Sequence, residues 1–367
     1  MDGLAEFELI GEGLKTGVVT LTREKPLNSL TLETINLVSE QVFAWLDDDT
    51  VACIVLNSST DRAFCAGADI TALQGAIKAG DIAHADSFFT NEYRLDHALH
   101  TAVKPILVWG SGVVMGGGLG LLGGGSHRVG TPDNRIAMPE ITIGLFPDAG
   151  GTWLLSHMPD HLGAFVGLTG CQLSAADGLA LGVLDYVMAH EQKAGVIDAV
   201  ASLPWSGDAE ADRALLTTLL AAQEQIDDLP GNLLRFRAEI TELMRASYAA
   251  DDFFTCFEAG LDQLPEDDWI DAARQTYRAG AAVTARIFHE QLARAQGMSL
   301  ADTFRLELLI ACQCARHPDF PEGVRALLVD KDRSPSWSYR STAEVPAAYV
   351  EAHFEPSWSG EHPLADL

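Results

Sequence analysis

The sequence predicts an α/β protein. Short apolar runs with strand character alternate with segments of helical period through the first half of the chain, and mostly helical patterns follow from about residue 190. Between the two lies a glycine-rich stretch that leads into a pair of carboxylates in apolar surroundings.

Taken in order, residues 6–10 and 17–22 read as two strands joined by a turn at Gly11–Gly13. Residues 31–46 read as a helix, with Thr31 placed to cap it. Residues 51–56 form an apolar strand that ends in the polar turn NSSTDR. Helical patterns cover 69–79 and 82–101, and a buried strand covers 106–109. Glycines 116–118 open a short helix of small residues, 135–138 resumes an extended path, and 149–157 is helical again. Further helices are expected over 209–225, 231–249, 270–296 and 300–316. In the last of these Phe304, Leu308, Ala311 and Ala315 trace one apolar face. The tail after 335, rich in Pro, Ser, Trp and His, is expected to wrap the surface. The expected organisation is a core over 1–190, a helical region over 191–340 and a tail over 341–367.

With 367 residues there is ample chain for a large core. An apolar content of 47% beside 21% charged residues is that of an ordinary globular chain. No run of 18 apolar residues occurs, and the acidic N-terminus has no apolar signal segment, so neither membrane insertion nor export is expected. A net charge of −28 disfavours nucleic acid and anionic membranes as partners, while leaving room for a local basic patch. Arg23 and Lys25, just before Pro26, either form such a patch for phosphates or sit on a solvated loop. The six cysteines, at 53, 65, 171, 256, 312 and 314, fit neither a disulfide framework nor a zinc site. They read as thiols in a reducing compartment, so a cytoplasmic location is expected.

The stretch Met115–Gly151, MGGGLGLLGGGSHRVGTPDNRIAMPEITIGLFPDAGG, carries the chemistry. Glycine exposes backbone NH groups, which can bind a developing oxyanion or simply allow tight packing. Glu140 follows the rigid Met138–Pro139 step, and Asp148 follows Phe146–Pro147. Carboxylates in apolar surroundings have raised pKa values suited to acid–base or nucleophilic work. Asp148 also stands where a helix cap is wanted, and the two roles are compatible. Glu92 lies among Ala85, Phe88, Leu95 and Leu99 on one helical stripe, where a carboxylate needs a partner or a function. His97, His100 and His127 come with no nucleophile motif or metal-ligand spacing and read as structural.

AFCAGADI at 63–70, NEYRLDHAL at 91–99, MPEITIGLFPDAGG at 138–151 and PDFPEGVRALLVDKDRSPSW at 318–337 resemble the crotonase (enoyl-CoA hydratase/isomerase) superfamily, in its 3-hydroxyisobutyryl-CoA hydrolase branch. The resemblance runs over roughly residues 5–340. It implies a crotonase-like ββα spiral core followed by a helical C-terminal region, which periodicity alone does not distinguish from a doubly wound sheet. It implies that the NH groups of Ala68 and Gly117 form an oxyanion hole for a thioester carbonyl. Coenzyme A is then expected along Ala66, Asp69, Ile70 and Gly116, with its phosphates near Arg23 and Lys25. Glu140 attacks or activates water, Asp148 assists proton transfer or orients the acyl group, and Glu92 meets the substrate hydroxyl. Hydratases of the superfamily place a catalytic carboxylate where this chain has Gly120, in a GGGxE pattern; here the pattern reads GGGLG. That departure favours thioester hydrolysis over hydration. Hydratase or isomerase activity and non-catalytic acyl-CoA binding are the alternatives. No metal or cofactor beyond the coenzyme A of the substrate is expected, and a homo-oligomer is compatible with the family.

Overall fold

The computed structural model describes residues 3–226 and 228–367. The chain divides into two compact units. The first is built from the segment ending at Ala68, with Arg94–Ile136 and Leu173–Gly231; the second is built from Asp69–Tyr93, Ala137–Gln172 and Asn232–Leu367.

The first unit holds the strands β1 (Ala5–Ile10), β2 (Lys15–Leu21), β3 (Val51–Ser58), β4 (Ala63–Cys65), β5 (Ile106–Gly110), β6 (Val113–Met115), β7 (His127–Gly130), β8 (Arg135–Ala137) and β9 (Tyr186–Val187). One sheet runs β1-β2-β3-β5-β7-β9 and a second runs β4-β6-β8. β1 and β2 pair antiparallel, as a short hairpin must. The pairings β2–β3, β3–β5, β5–β7 and β7–β9 are parallel. Every residue of β3 and β5 is buried, which is why both read as unbroken apolar runs rather than alternating ones. Val18, Val55, Leu107, Trp109, Val129 and Met188 pack in one core cluster of this unit with Val200 and Leu216 from its helices. Thr31 caps the helix Leu32–Asp47 as expected, its side chain accepting from the Thr34 NH at 3.1 Å.

β4 and β6 run parallel, Ala63 opposite Val113 and Cys65 opposite Val114, so the register slips by a residue at a bulge between them. The segments leaving their C-terminal ends, 66–68 and 115–117, are therefore neighbours. Their approach is close enough to exclude side chains. A Cβ on Gly67, whose φ is +90°, would lie 2.9 Å from the Met115 carbonyl oxygen, and one on Gly118 would lie 2.2 Å from that of Cys65. The small-residue helix Gly117–Gly123 is buried through Leu122 for the same reason.

The second unit is mainly helical. The expected helix 270–296 is two helices, Asp268–Ala279 and Ala282–Arg294. The break falls at Gly280, where a Cβ would meet Ile141 at 2.6 Å, and the Ala281 NH leaves the helical ladder for the Ile141 carbonyl at 3.0 Å. Residues 231–249 form a single tight turn, Leu233–Phe236, before the helix Arg237–Ala249. The helix Phe253–Gln263 was not anticipated; Asp252 caps it with 3.1 and 3.3 Å bonds to the Phe254 and Thr255 NH groups. The helix Leu300–Cys314 buries Phe304, Leu308, Ala311 and, just past its end, Ala315, as their spacing requires. Among the described residues no helix is long and apolar enough to cross a membrane.

Candidate active site

The residues singled out from sequence fall into two groups, one in each unit. In the first unit Ala66–Ala68 follows β4, and Gly116 and Gly117 follow β6. The Ala66 NH donates to the Leu27 carbonyl at 2.9 Å, and the Gly67 carbonyl accepts from the Leu30 NH at 2.8 Å. Among the described residues no protein acceptor takes up the NH of Ala68 or of Gly117. Gly116 has φ 51° and ψ −128°, a conformation that only glycine adopts readily, and it sets the NH of Gly117 at the head of the helix.

The turn 24–29 lies against this segment through the Leu27 and Leu30 bonds. Arg23 is half-buried and donates to the Ser29 carbonyl at 2.6 Å and to the Ser29 hydroxyl at 3.1 Å, so it braces the turn. Lys25 is exposed on it. Asp69 and Ile70 begin the second unit, where Asp69 caps the helix Ile70–Lys78 with a 3.2 Å bond from the Ala72 NH. Gly120 is buried in the helix Gly117–Gly123 and offers no carboxylate.

The second unit brings Glu92, Glu140 and Asp148 together. Glu140 opens a tight turn, Glu140–Ile143, set by Pro139 and closed by Gly144 in a left-handed conformation. A Cβ on Gly144 would lie 2.5 Å from the Asp319 carbonyl oxygen, so the turn is pinned from outside. Asp148 stands before Ala149 and Gly150, whose φ values are +52° and +80°. Glu92 lies on the helix Ile82–Thr101, and its stripe is buried: Ala85 0%, Phe88 2%, Glu92 2%, Leu95 1% and Leu99 2% exposed.

These carboxylates perturb one another. Burial pushes Glu140 well above its ordinary pKa, and the nearby Asp148 adds to the shift. Burial does the same to Glu92, with Asp148 and Glu307 adding to it. Burial raises Asp148 to about 6, and the Tyr93 hydroxyl, donating to its Oδ2 at 2.6 Å, offsets part of the effect. Glu92 Oε1 and Glu140 Oε2 are buried with no hydrogen-bond partner among the described residues. Unsatisfied buried oxygens are costly in a resting protein.

Two members of this cluster were not singled out from sequence. Tyr93 is fully buried, and burial, with Asp148 and Glu307 beside it, holds its hydroxyl well above the usual range. Glu307 is fully buried, and burial raises it to about 8 although Thr152 and the Gly150 NH favour its charged form. Its Oε2 and Oε1 accept from the Gly150 and Thr152 NH groups at 2.8 and 2.9 Å. Glu307 therefore takes the capping role that the local sequence offers to Asp148; the helix itself runs Gly151–Ser156, shorter than the expected 149–157. The signal for Glu307 was the one that marked Glu92, a carboxylate inside an apolar helical stripe.

The chain thus combines a parallel-rich α/β unit carrying paired glycine loops with a helical unit carrying a buried carboxylate cluster. The enoyl-CoA hydratase/isomerase family profile matches residues 16–354, and the chain belongs to that family. It is 33% identical to the mitochondrial 3-hydroxyisobutyryl-CoA hydrolase of Gallus gallus, over 97% of this chain and 90% of that protein. It is 32% identical to the mitochondrial 3-hydroxyisobutyryl-CoA hydrolase of Homo sapiens, over 97% and 90%. Among solved structures, an enoyl-CoA hydratase from Rhodobacter sphaeroides 2.4.1 superposes with a TM-score of 0.83 at 28% identity, covering 96% of this chain and 98% of that one. A carnitinyl-CoA dehydratase from Mycobacterium thermoresistibile gives a TM-score of 0.83 at 32% identity, covering 96% of each. The crotonase fold expected from the motifs is the fold observed.

Proposed function

We propose that this protein is an acyl-CoA thioester hydrolase acting on 3-hydroxyisobutyryl-CoA. The observation that carries the reading is the buried pair Glu140 and Asp148, Glu140 held well above its ordinary range by burial and by Asp148, with a further unpartnered carboxylate oxygen at Glu92. Hydrolysis needs one carboxylate ionised, to attack the carbonyl or take a proton from water, and one protonated, to supply the departing thiolate. Two buried carboxylates displaced by different amounts, Asp148 to about 6 and Glu140 well above its ordinary range, meet both needs. Tyr93 favours the ionised form of Asp148, so Asp148 loses its proton readily as the pH rises through about 6. The NH groups of Ala68 and Gly117 bind the developing oxyanion, each worth roughly 3–4 kcal/mol in the transition state. Coenzyme A runs past Ala66, Asp69, Ile70 and Gly116, with Arg23 and Lys25 toward its phosphates. The Glu92 carboxylate receives the 3-hydroxyl of the acyl group. This chemistry calls on no metal or redox group beyond the coenzyme A of the substrate.

Gly120 supports hydrolysis over hydration, because a hydratase of this family sets its second carboxylate there. A hydratase or isomerase reading is kept as the second, since the superposing structures include an enoyl-CoA hydratase. Against a purely binding role stands the cost of burying several carboxylates that binding alone does not need. The resemblance to the hydrolase branch is what suggests valine catabolism as the setting. The cytoplasmic reading rests on cysteine spacings that fit neither a disulfide framework nor a zinc site, although the vertebrate relatives are named as mitochondrial. The test is release of free thiol from 3-hydroxyisobutyryl-CoA by the purified protein. Turnover supports the proposal, and intact thioester after prolonged incubation overturns it.

A further inference from the structure

The loop that carries Asp148 sets up a competition for hydrogen bonds. It leads into the helix Gly151–Ser156, whose first NH groups need acceptors, and aspartate is a leading capping residue. The cap position itself is Gly150, which has no side chain to accept a bond. Asp148 nevertheless does not cap. Its Oδ2 is taken by the Tyr93 hydroxyl, while the Gly150 and Thr152 NH groups go to the two oxygens of Glu307. Glu307 lies 157 residues beyond Gly150 and is fully buried. If capping were all that was wanted, a short polar residue at the cap would meet it without a buried carboxylate.

We propose that Glu307 is a positioning residue for the reaction: by occupying the NH groups at the start of this helix, it keeps the Asp148 carboxylate out of the cap and on Tyr93, where it serves the thioester. The inference rests on the role proposed above for Asp148. The backbone supports it. Ala149 and Gly150 are successive left-handed residues, and Ala149 bears a steric strain that only a tightly held loop sustains. That loop is held on both sides of Asp148. Glu307 binds the NH groups of Gly150 and Thr152 after it. Before it, Gln291 Nε2 donates to the Pro147 carbonyl at 3.2 Å, and it also bonds the Thr152 hydroxyl. The titratable groups around Asp148 are Glu92 and Tyr93 from one helix, Glu140 from the preceding turn, and Glu307 and Cys314 from the helix Leu300–Cys314.

Glu307→Gln tests this with little change of volume. The amide carries an NH2 where the second acceptor was, so one backbone NH is left for Asp148 to satisfy. The expected result is a fall in kcat on the order of ten- to a hundredfold, the scale of a misplaced catalytic group, with KM nearly unchanged. The acid limb of the kcat–pH profile moves off its wild-type position, because Asp148 exchanges the Tyr93 hydroxyl, which favours its ionised form, for a backbone NH in a different setting. In an Asp148→Asn background the same change costs nothing further, since Glu307 acts through Asp148. A wild-type kcat with an unshifted limb, or losses that multiply in the double variant, overturns the proposal. Glu307→Asp, which keeps the charge and shortens the reach, carries the same test should the glutamine variant not fold. Failure of the underlying reading is separate: it is an Asp148→Asn enzyme that turns over at the wild-type rate.

Discussion

Glu92→Ala should make the protein indifferent to the hydroxyl of its substrate. Glu92 is 2% exposed, and its Oε1 has no partner among the described residues, so an incoming hydroxyl is the group that would satisfy it. Leaving the buried substrate hydroxyl without its partner costs about 1–3 kcal/mol. At ~1.4 kcal/mol per factor of ten, that loss lowers kcat/KM roughly 5- to 150-fold. The truncation also leaves a cavity, but that cost falls equally on every substrate. The assay is therefore a ratio: kcat/KM for 3-hydroxyisobutyryl-CoA over that for isobutyryl-CoA, in wild type and variant. The ratio should collapse by roughly that 5- to 150-fold factor, because isobutyryl-CoA never made the bond. Equal losses on both substrates would refute the assignment and return Glu92 to a structural role.

Glu140→Gln and Asp148→Asn should each lower kcat by about 10²–10⁴-fold while product inhibition by free coenzyme A stays near wild type, because acid–base groups act mainly in the transition state; two variants with wild-type turnover would rule out the carboxylate mechanism. The rate should rise as the pH passes through about 6, since burial raises Asp148 to that value and its ionised form is the active one; a profile flat from about pH 4 to 8 by stopped assay contradicts this. Gly120→Glu should not improve hydrolysis, and overpacking this buried helix costs roughly 1–3 kcal/mol in a thermal or denaturant melt. A folded Gly120→Glu variant with faster thiol release would show that the position is not what separates hydrolysis from hydration.

What could be read from the sequence was local. The strand at 51–56 and the helix from Thr31 follow from apolar runs and a capping residue, both short-range signals. The burial of Glu92 follows from helical period alone. Long-range partners were not legible. That β4, β6 and β8 form their own sheet depends on pairings across tens of residues, which periodicity does not reveal. Gly280 splits a helix because of Ile141, far away in the chain. Asp148 obeys every local rule for a cap and is displaced from that role by Glu307, on a different helix. Arg23 read as either part of a phosphate patch or a solvated loop residue, and in the fold it commits a guanidinium nitrogen to Ser29. The apolar stripe around Phe304 was recognised, but the carboxylate inside it was not read as a member of the cluster.

The most direct test sets the two reactions of the family against each other in one preparation. Free-thiol release from 3-hydroxyisobutyryl-CoA is measured beside the loss of enoyl absorbance with crotonyl-CoA, at matched enzyme and substrate concentrations. Buried carboxylates at Glu140 and Asp148, with Gly120 in place of the hydratase carboxylate, predict rapid thiol release and a kcat/KM for hydration lower by orders of magnitude. Loss of enoyl absorbance without thiol release would contradict the account.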